Sequence, residues 1–177
     1  SELMSDSLLL KEALACEKAS PEILTFKEGL VGRITEHLRT MDSKVASLDS
    51  DYAAELARTL YQYEESRVKY MLRSYLRVRC MKIEKYAMAI LDDEVTLEKL
   101  SDKEREFAEG YVVMLGGHLK QTVLNHMPHG FDSLVYQSAA SAEKDMLPQP
   151  NLDTHCFCRV TEDIGIVDLG NNTTEFS

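Results

Sequence analysis

The sequence contains no tryptophan and few residues that break helices, with four prolines and eight glycines among 177 residues. The prolines are Pro21, Pro128, Pro148 and Pro150, so about 100 consecutive residues lack the ring that interrupts an α-helix. Long apolar runs are also missing, whereas about 20 consecutive apolar residues are needed to span a bilayer. The sequence therefore predicts a helical protein that does not cross a membrane.

Cysteine is scarce, and positive charge is outnumbered by negative charge. The four cysteines are widely spread and no secretory leader precedes them, so we expect a cytosolic or nuclear protein without a disulfide scaffold. The formal net charge of -10 argues against nonspecific nucleic-acid binding by the whole chain, because such binding depends on Lys and Arg at phosphates. Hydrophobic residues make up 44% of the sequence, which suffices for one main domain.

Apolar residues recur at three- and four-residue steps in several segments, which predicts amphipathic helices. One helix is expected within residues 8–18, and a second, with Ser20 as its N-cap and Pro21 at its first helical position, is expected to include residues 28–45. A long helix follows Ser50 and Asp51 and ends near Leu91. At 1.5 Å per residue it would span roughly 60 Å, more than a domain of this size needs. Part of its surface is therefore expected to meet another chain.

The next helix is predicted from a capping box formed by Ser101 and Glu104, and Pro128 ends it. Its apolar residues are expected to be buried, namely Phe107, Tyr111, Val112, Leu115, Leu119, Val123 and Leu124.

The C-terminal part of the chain changes character. Small and polar residues lead into the paired prolines, and β-branched and aromatic residues then occur in residues 156–160 and 164–168. We therefore expect a helical interaction domain at 1–136, a linker at 137–150 and a partial β-domain at 151–177. The predicted fold class is mainly α, a helical bundle with one long helix followed by a small, incomplete C-terminal β-domain.

No arrangement of residues indicates catalysis, a cofactor or a metal. The glycines form no phosphate-binding loop. His155, Cys156 and Cys158 are close together, but a strand would direct them to different faces and no second ligand pair completes a zinc site. No known motif places a Ser or Cys nucleophile beside His118 and His126. We predict that the protein is not an enzyme and holds no cofactor.

One stretch reverses the charge of the chain. Residues 67–85 contain one acidic residue, Glu84, against seven basic ones: Arg67, Lys69, Arg73, Arg77, Arg79, Lys82 and Lys85. Apolar residues separate them on a helix. The stretch either forms ion pairs with acidic surfaces of this chain or its neighbours, or it makes this chain a stand-alone DNA-binding helical module.

The same stretch carries a family resemblance. Residues 74–85 read SYLRVRCMKIEK, which resembles the SYLR-x-R-x-x-KIEK core of the Sld-five family of GINS subunits. In the same order follow Leu100 to Ala108, an L-K-x-x-x-L-x-H-M-P pattern at 119–128, a P-x-P-x-L-D pattern at 148–153, and an F-x-R-V pattern at 157–160. The helical part comes first, as in this family.

The resemblance implies a nuclear, non-catalytic subunit with a GINS A-domain-like bundle. It would assemble with three sister GINS subunits into a heterotetramer that joins the MCM ring and its RecJ-like cofactor as the CMG replicative helicase, with DNA contact indirect or unknown. Contacts with partners are expected along the long helix, at Tyr70, Arg73, Tyr75, Leu76, Arg77, Arg79, Lys82, Ile83 and Tyr86. Docking of the β-domain is expected at Leu152, Phe157, Arg159 and Val160.

Overall fold

The computed structural model describes residues 2–46, 52–128, 130–135, 147–155, 165–168 and 173–176. Within these ranges lie α1 (Glu2–Ala19), α2 (Glu28–Ala46), α3 (Tyr52–Asp92), α4 (Glu94–Leu97) and α5 (Asp102–Thr122), and a short 3-10 turn (Leu124–His126) follows α5. This confirms the mainly helical fold. No helix in the described ranges has the length and apolar character that a bilayer-spanning segment needs.

The helices enclose two apolar clusters. In the first, α1 and α2 pack on the middle of the inner side of α3, through Leu10, Leu14, Leu30, Ile34, Leu38, Val68, Met71 and Tyr75. In the second, α5 and the segment before α2 cover the second half of α3, through Ile23, Ile83, Ile90, Leu100 and Ala108. The three- and four-residue steps within each helix place these side chains on one face.

Helix α3 has 41 residues, as the sequence predicts. At Tyr86 its backbone leaves the helical region, with φ -119° and ψ 18°, so the helix kinks within the second cluster, between Ile83 and Ile90. The predicted cap at Ser50 and Asp51 lies outside the described residues.

The predicted capping box of α5 is confirmed. The Ser101 hydroxyl accepts from the Glu104 amide, and the Glu104 carboxylate accepts from the Ser101 amide at 2.9 Å. Asp93 caps α4 in the same manner, with its carboxylate accepting from the amides of Val95 and Thr96 at 3.2 Å. The hydrogen bond from the Thr96 hydroxyl lowers the pKa of the Asp93 carboxyl, and the two amides add to this effect.

The predicted start of the second helix at Ser20 and Pro21 is wrong, because α2 begins only at Glu28. Residues 20–27 form an extended segment, here called the strap, and the Ser20 amide closes the end of α1 by donating to Cys16 O at 2.9 Å. Across the strap, the Phe26 amide donates to Lys99 O at 2.9 Å. Hydrogen bonds to distant residues therefore replace those of a local helix.

The burial expected for α5 is found only in part, because Tyr111, Val112, Leu115, Leu119 and Leu124 are half-buried. Its buried residues are Glu104 and Ala108, whereas Phe107 is 39% exposed and Val123 is 42% exposed. The first turns of α5 lie against the second cluster, and the Leu134 side chain lies beside Gly116 in its later turns.

The C-terminal residues include two short strands, β1 (Gly165–Asp168) and β2 (Thr173–Phe176), which pair antiparallel with Gly165 opposite Phe176. The strand predicted at 156–160 and most of the predicted linker lie outside the described residues. A β-domain at 151–177 and its boundaries therefore stay predictions.

Close packing at Ala108 can be tested by enlargement. Ala108 has no exposed surface, so Ala108→Leu adds volume between α5 and α3 and is expected to destabilise the domain by about 1 to 3 kcal/mol. Val113→Leu, on the exposed side of the same helix, is the control. Urea unfolding of both variants measures the difference, and equal midpoints would contradict the packing described here.

Candidate partner interface

Arg79 is the most deeply buried charged residue of α3, with no exposed surface. It follows Tyr75 by four residues and precedes Ile83 by four, and both neighbours are core residues. Helical spacing therefore directs the guanidinium inward. A charge in this position needs compensation by hydrogen bonds and opposite charge.

The surroundings of Arg79 occupy all five N–H donors of a guanidinium. Nε and Nη2 bind the Glu104 carboxylate at 2.7 and 3.0 Å, a bidentate pair. Nη1 donates to Glu17 Oε2 at 3.1 Å and to Leu24 O at 2.5 Å, and Nη2 also donates to Lys99 O at 3.1 Å.

Lys82, one turn further along α3, completes the arrangement. Its Nζ donates to Glu17 O at 2.6 Å, to Glu17 Oε1 at 2.7 Å and to Glu22 O at 2.8 Å, which uses the three donors of an ammonium. The two cations face the two carboxylates of Glu17 and Glu104. We call these four residues the buried ionic cluster; its formal charges sum to zero.

The buried ionic cluster joins every principal helix except α2. Glu17 lies near the end of α1, Arg79 and Lys82 lie on α3, and Glu104 lies in the first turn of α5. Glu104 is also the capping-box residue, since Oε2 accepts from both the Ser101 amide and Arg79. The start of α5 is therefore fixed to α3 by the same carboxylate that caps the helix.

Aromatic rings hold the strap against the cluster. The Arg79 guanidinium lies 5.3 Å from the Phe26 ring centroid and 5.7 Å from that of Tyr75, within the range of cation–π attraction. Burial lowers the pKa of Arg79, but the hydrogen bonds and charge of Glu104 outweigh it and raise the pKa above its ordinary value. Burial has the opposite effect on the Tyr75 hydroxyl and raises its pKa, because burial disfavours the charged form of each group. The Tyr75 hydroxyl oxygen accepts a hydrogen bond from the Lys27 amide at 3.4 Å.

This arrangement is a structural one. Arg79 has neither exposed surface nor a spare donor, so it has no means of binding a substrate. His118 and His126 lie exposed on α5 and the turn after it. In the part of the chain that the structure describes, no three His, Cys, Asp or Glu side chains are grouped to hold a metal; Cys156 and Cys158 lie outside that part.

Three predicted partner-contact residues need correction. Tyr75, Arg79 and Ile83 are 1%, 0% and 0% exposed, so their side chains contact this chain's own core and offer no surface to a partner. The reason is geometric: they share the inner face of α3 with Val68 and Met71. Sequence alone does not show which face of an all-round apolar and basic helix is turned inward.

The remaining predicted residues keep some or all of their surface. Tyr70 is 68% exposed, Arg73 and Arg77 are exposed, and Leu76 and Tyr86 are half-buried. The Lys82 side chain is 12% exposed and bound to Glu17. Among the predicted residues, Tyr70, Arg73 and Arg77 are therefore the ones best placed for contact.

Other apolar residues of α3 are exposed beside them and are not among the residues predicted to contact partners. Leu56, Leu60, Tyr63 and Met81 are between 58% and 71% exposed. At about 100° per residue, Tyr63, Tyr70 and Met81 lie about 120° to 140° around α3 from Tyr75, whereas Leu60 lies about 20° from Met71. The steps of four and three residues from Leu56 to Leu60 and Tyr63, and of seven from Tyr63 to Tyr70, were a signal of a second apolar stripe.

The predicted docking residues of the β-domain are only partly described. Leu152 is 67% exposed and lines a cavity of about 290 Å³ with Ile23, Tyr86, Ile90 and Pro150, among other residues. The end of the predicted linker and Leu152 thus lie beside the kink of α3. Phe157, Arg159 and Val160 lie outside the described residues.

The basic stretch is largely neutralised within the chain. Arg67 binds Glu64 at 2.6 Å, Lys69 pairs with Glu65, and Arg79 and Lys82 belong to the buried ionic cluster. Four of its seven cations are thus paired internally, which leaves Arg73, Arg77 and Lys85 for a phosphate backbone. Ion pairing within the chain is the better supported interpretation of the stretch.

Comparison with known proteins places the helical domain in a family. The family model for Sld5, described as the GINS complex protein helical bundle domain, matches residues 17–123. The chain belongs to the Sld5 family. The matched residues begin at Glu17 and contain the whole buried ionic cluster, all of α2 and α3, and α5. The resemblance carried by residues 74–85 is thereby confirmed.

Curated relatives agree with this family. A protein of Arabidopsis thaliana is 39% identical over 155 residues, which cover 88% of this chain and 70% of that protein. One from Dictyostelium discoideum is 27% identical, with 94% and 78% covered, and one from Homo sapiens is 32% identical, with 86% and 66% covered. Each is named DNA replication complex GINS protein SLD5.

Replacing Arg79 by lysine tests the cluster while keeping its charge. An ammonium supplies three donors instead of five and cannot form the bidentate pair with Glu104, so Arg79→Lys is expected to lower the free energy of unfolding by about 2 to 4 kcal/mol.

Arg77→Lys is the matched control, because Arg77 is exposed on the same helix. Thermal and urea unfolding are measured for both variants. Unfolding midpoints for Arg79→Lys within experimental error of those of Arg77→Lys would show that the five hydrogen bonds do not stabilise the domain.

Proposed function

We propose that this protein is a non-catalytic subunit of the GINS complex and acts in DNA replication. Two findings support the proposal together: membership of the Sld5 family, and relatives named as the GINS protein of a DNA replication complex. The observation that carries the assembly role is the surface of α3, on which six large apolar residues are exposed. Such a surface is typical of a site that another protein covers.

The pairing of the buried charged residues favours a scaffold function over an enzymatic one. The deeply buried charges of the helical domain, in Glu17, Arg79 and Glu104, are bound to one another, and none is exposed in a cleft as a catalytic group must be. The role we propose is therefore binding and positioning of other subunits.

At the next level, we propose the assembly that the family resemblance implies. Three sister GINS subunits would bind this chain to form a heterotetramer, and the heterotetramer would join the MCM ring and its RecJ-like cofactor as the CMG helicase in the nucleus. Tyr70, Arg73 and Arg77, with the half-buried Leu76 and Tyr86, are the proposed contact residues on α3.

The helical domain at 1–136 and a β-domain at 151–177 would have separate contacts in that assembly. Leu152 and Pro150 lie at the cavity beside Tyr86, so the chain leaves the helical domain near the kink of α3. We propose that Leu152, with Phe157, Arg159 and Val160, docks the β-domain.

Reversing the charge at Arg77 tests the assembly role. Arg77 is exposed, so Arg77→Glu is expected to leave the helical domain folded while weakening assembly at least about tenfold through loss of an intersubunit ion pair. The chain is co-expressed with three sister GINS subunits, and the molar mass of the product is measured by light scattering during size exclusion.

Lys11→Glu provides the control, since it makes the same charge change on the exposed side of α1. The proposed function predicts a four-subunit mass for the wild type and for Lys11→Glu. A well-folded wild-type monomer that ignores all three sisters would contradict it.

A further inference from the structure

An open groove lies where the end of α1 and the strap meet the second half of α3, and its volume is about 400 Å³. Five of its residues occupy positions i, i+3, i+4, i+7 and i+8 of α3, which share one side of a helix. We call the residues that line it the basic groove: Lys18, Pro21, Val78, Met81, Lys82, Lys85 and Tyr86. Its volume lies in the range of pockets that bind ligands.

Apolar side chains form the floor of the basic groove. Met81 is 59% exposed, and Pro21, Val78 and Tyr86 are half-buried. Apolar surface in a concave site favours a ligand with an apolar side chain, because both surfaces leave water when they meet. The flexible thioether of methionine adapts to the shape of such a side chain. The floor is therefore suited to an apolar residue of a ligand.

The basic groove also has two cations that this chain does not neutralise. Neither Lys18 nor Lys85 has a hydrogen bond or ion pair with a carboxylate in the part of the chain that the structure describes, and both are exposed. The Lys85 ammonium lies 4.9 Å from the Tyr86 ring centroid, at the edge of the apolar floor. Lys82, in contrast, has its three donors bound within the chain.

The described carboxylates around the groove have other partners or face elsewhere. Both carboxylate oxygens of Glu17 are bound in the buried ionic cluster, and the Glu22 side chain is bound to Lys99. Glu84 lies about 120° around α3 from Val78 and therefore faces away from the groove. Although the whole chain has a formal net charge of -10, the unpaired charge of the groove is positive.

The size of the basic groove favours a short peptide segment over a second folded domain. From Val78 to Tyr86 the helix rises about 12 Å, a length that an extended segment of about four residues covers. Stable protein–protein interfaces bury about 1,200 to 2,000 Å², far more than a groove of this length offers. The occupant that fits is therefore a segment of a transient partner.

An acidic peptide fits the charge better than a nucleic acid does. Nucleic-acid affinity comes from neutralising many phosphates, whereas the groove offers two free cations on a chain that is negative as a whole. Asp or Glu residues can pair singly with Lys18 and Lys85, and an apolar residue between them would lie on the floor near Met81.

We propose that the basic groove binds a short acidic segment of another protein, with Asp or Glu at Lys18 and Lys85 and an apolar side chain against Val78 and Met81. The site goes beyond the proposed function, because it stays open when the chain has assembled with its sister subunits. It gives the assembled complex a place to bind a further, transient partner.

The probe is a fluorescein-labelled peptide of sequence EDLFDE, titrated with the full chain and followed by fluorescence anisotropy. Two matched peptides each remove one feature: QNLFNQ replaces the carboxylates by amides, and EDSSDE replaces the apolar pair by serines. Each is expected to bind at least about tenfold more weakly than EDLFDE, because it lacks the ion pairs or the apolar contact. The affinity of EDLFDE is also expected to fall with salt.

Variants of the chain test the site itself. The double variant Lys18→Glu, Lys85→Glu reverses both free cations and is expected to raise the dissociation constant of EDLFDE at least about tenfold. The double variant Lys103→Glu, Lys120→Glu makes the same charge change at exposed positions of α5 outside the groove, and it is expected to bind as the wild type does. Unchanged unfolding temperatures show that the variants remain folded.

Three results would overturn the inference. EDLFDE would fail to bind, or it would bind Lys18→Glu, Lys85→Glu as tightly as the wild type. In the third, an oligothymidylate would displace the peptide at equal concentration, because the site would then favour a nucleic acid.

The same titration with the complex of the chain and its three sister GINS subunits separates the inference from the proposed function. Unchanged affinity for EDLFDE is expected there. Loss of binding on assembly would show that a sister subunit covers the groove, so the inference would fail while the proposed function stands. If the sisters do not assemble with the chain, the proposed function fails, and binding to the free chain alone decides the inference.

Discussion

The buried guanidinium of Arg79 is the constraint on which the rest of the helical domain depends. A charge without exposed surface is tolerated only when its donors are matched, and here five acceptor contacts come from α1, the strap, the turn before α5 and α5 itself. These segments are up to 62 residues away along the chain. The position of each is thereby fixed relative to α3, although none of them is held there by a large apolar surface alone.

The same constraint explains why α3 is available to a partner. With Arg79 and Lys82 turned inward, the helix presents Tyr70, Arg77 and Met81 outward, and its first turns extend beyond the cover of α1 and α2. A rigid helix with one face fixed by its own domain is a preorganised binding surface, because little conformational entropy is lost when a partner covers the other face. The orientation of α3 about its own axis therefore explains both observations: the charges of Arg79 and Lys82 are buried, and the apolar side chains of Tyr70 and Met81 are exposed.

The sequence predicted what depends on local rules and missed what depends on distant contacts. Helical periodicity and the Ser101–Glu104 capping box located α3 and α5 correctly, because caps and periodicity are local. The inward rotation of Arg79 could not be predicted, since apolar residues surround the basic ones on every side of that helix and Glu17 gives no local signal of pairing with it. Ser20 and Pro21 satisfied the local rules for a helix start, but the hydrogen bond from the Phe26 amide to Lys99 O and the ring contact with Arg79 hold the strap extended. The exposed side of α5 was missed because periodicity indicates an apolar face without showing whether the same chain covers it.

Hydrogen exchange, followed for the chain alone and in complex with its three sister GINS subunits, tests the central claim most directly. The claim is that the buried ionic cluster holds the helices of the domain together, and that the exposed side of α3 becomes buried only when a partner binds. It predicts that the Phe26 amide exchanges as slowly as the amides around Arg79 in both samples, and that the first turns of α3 exchange fast in the free chain and slowly in the complex. Fast exchange at Phe26 in the free chain, or unchanged exchange in the first turns of α3 on assembly, would contradict the account.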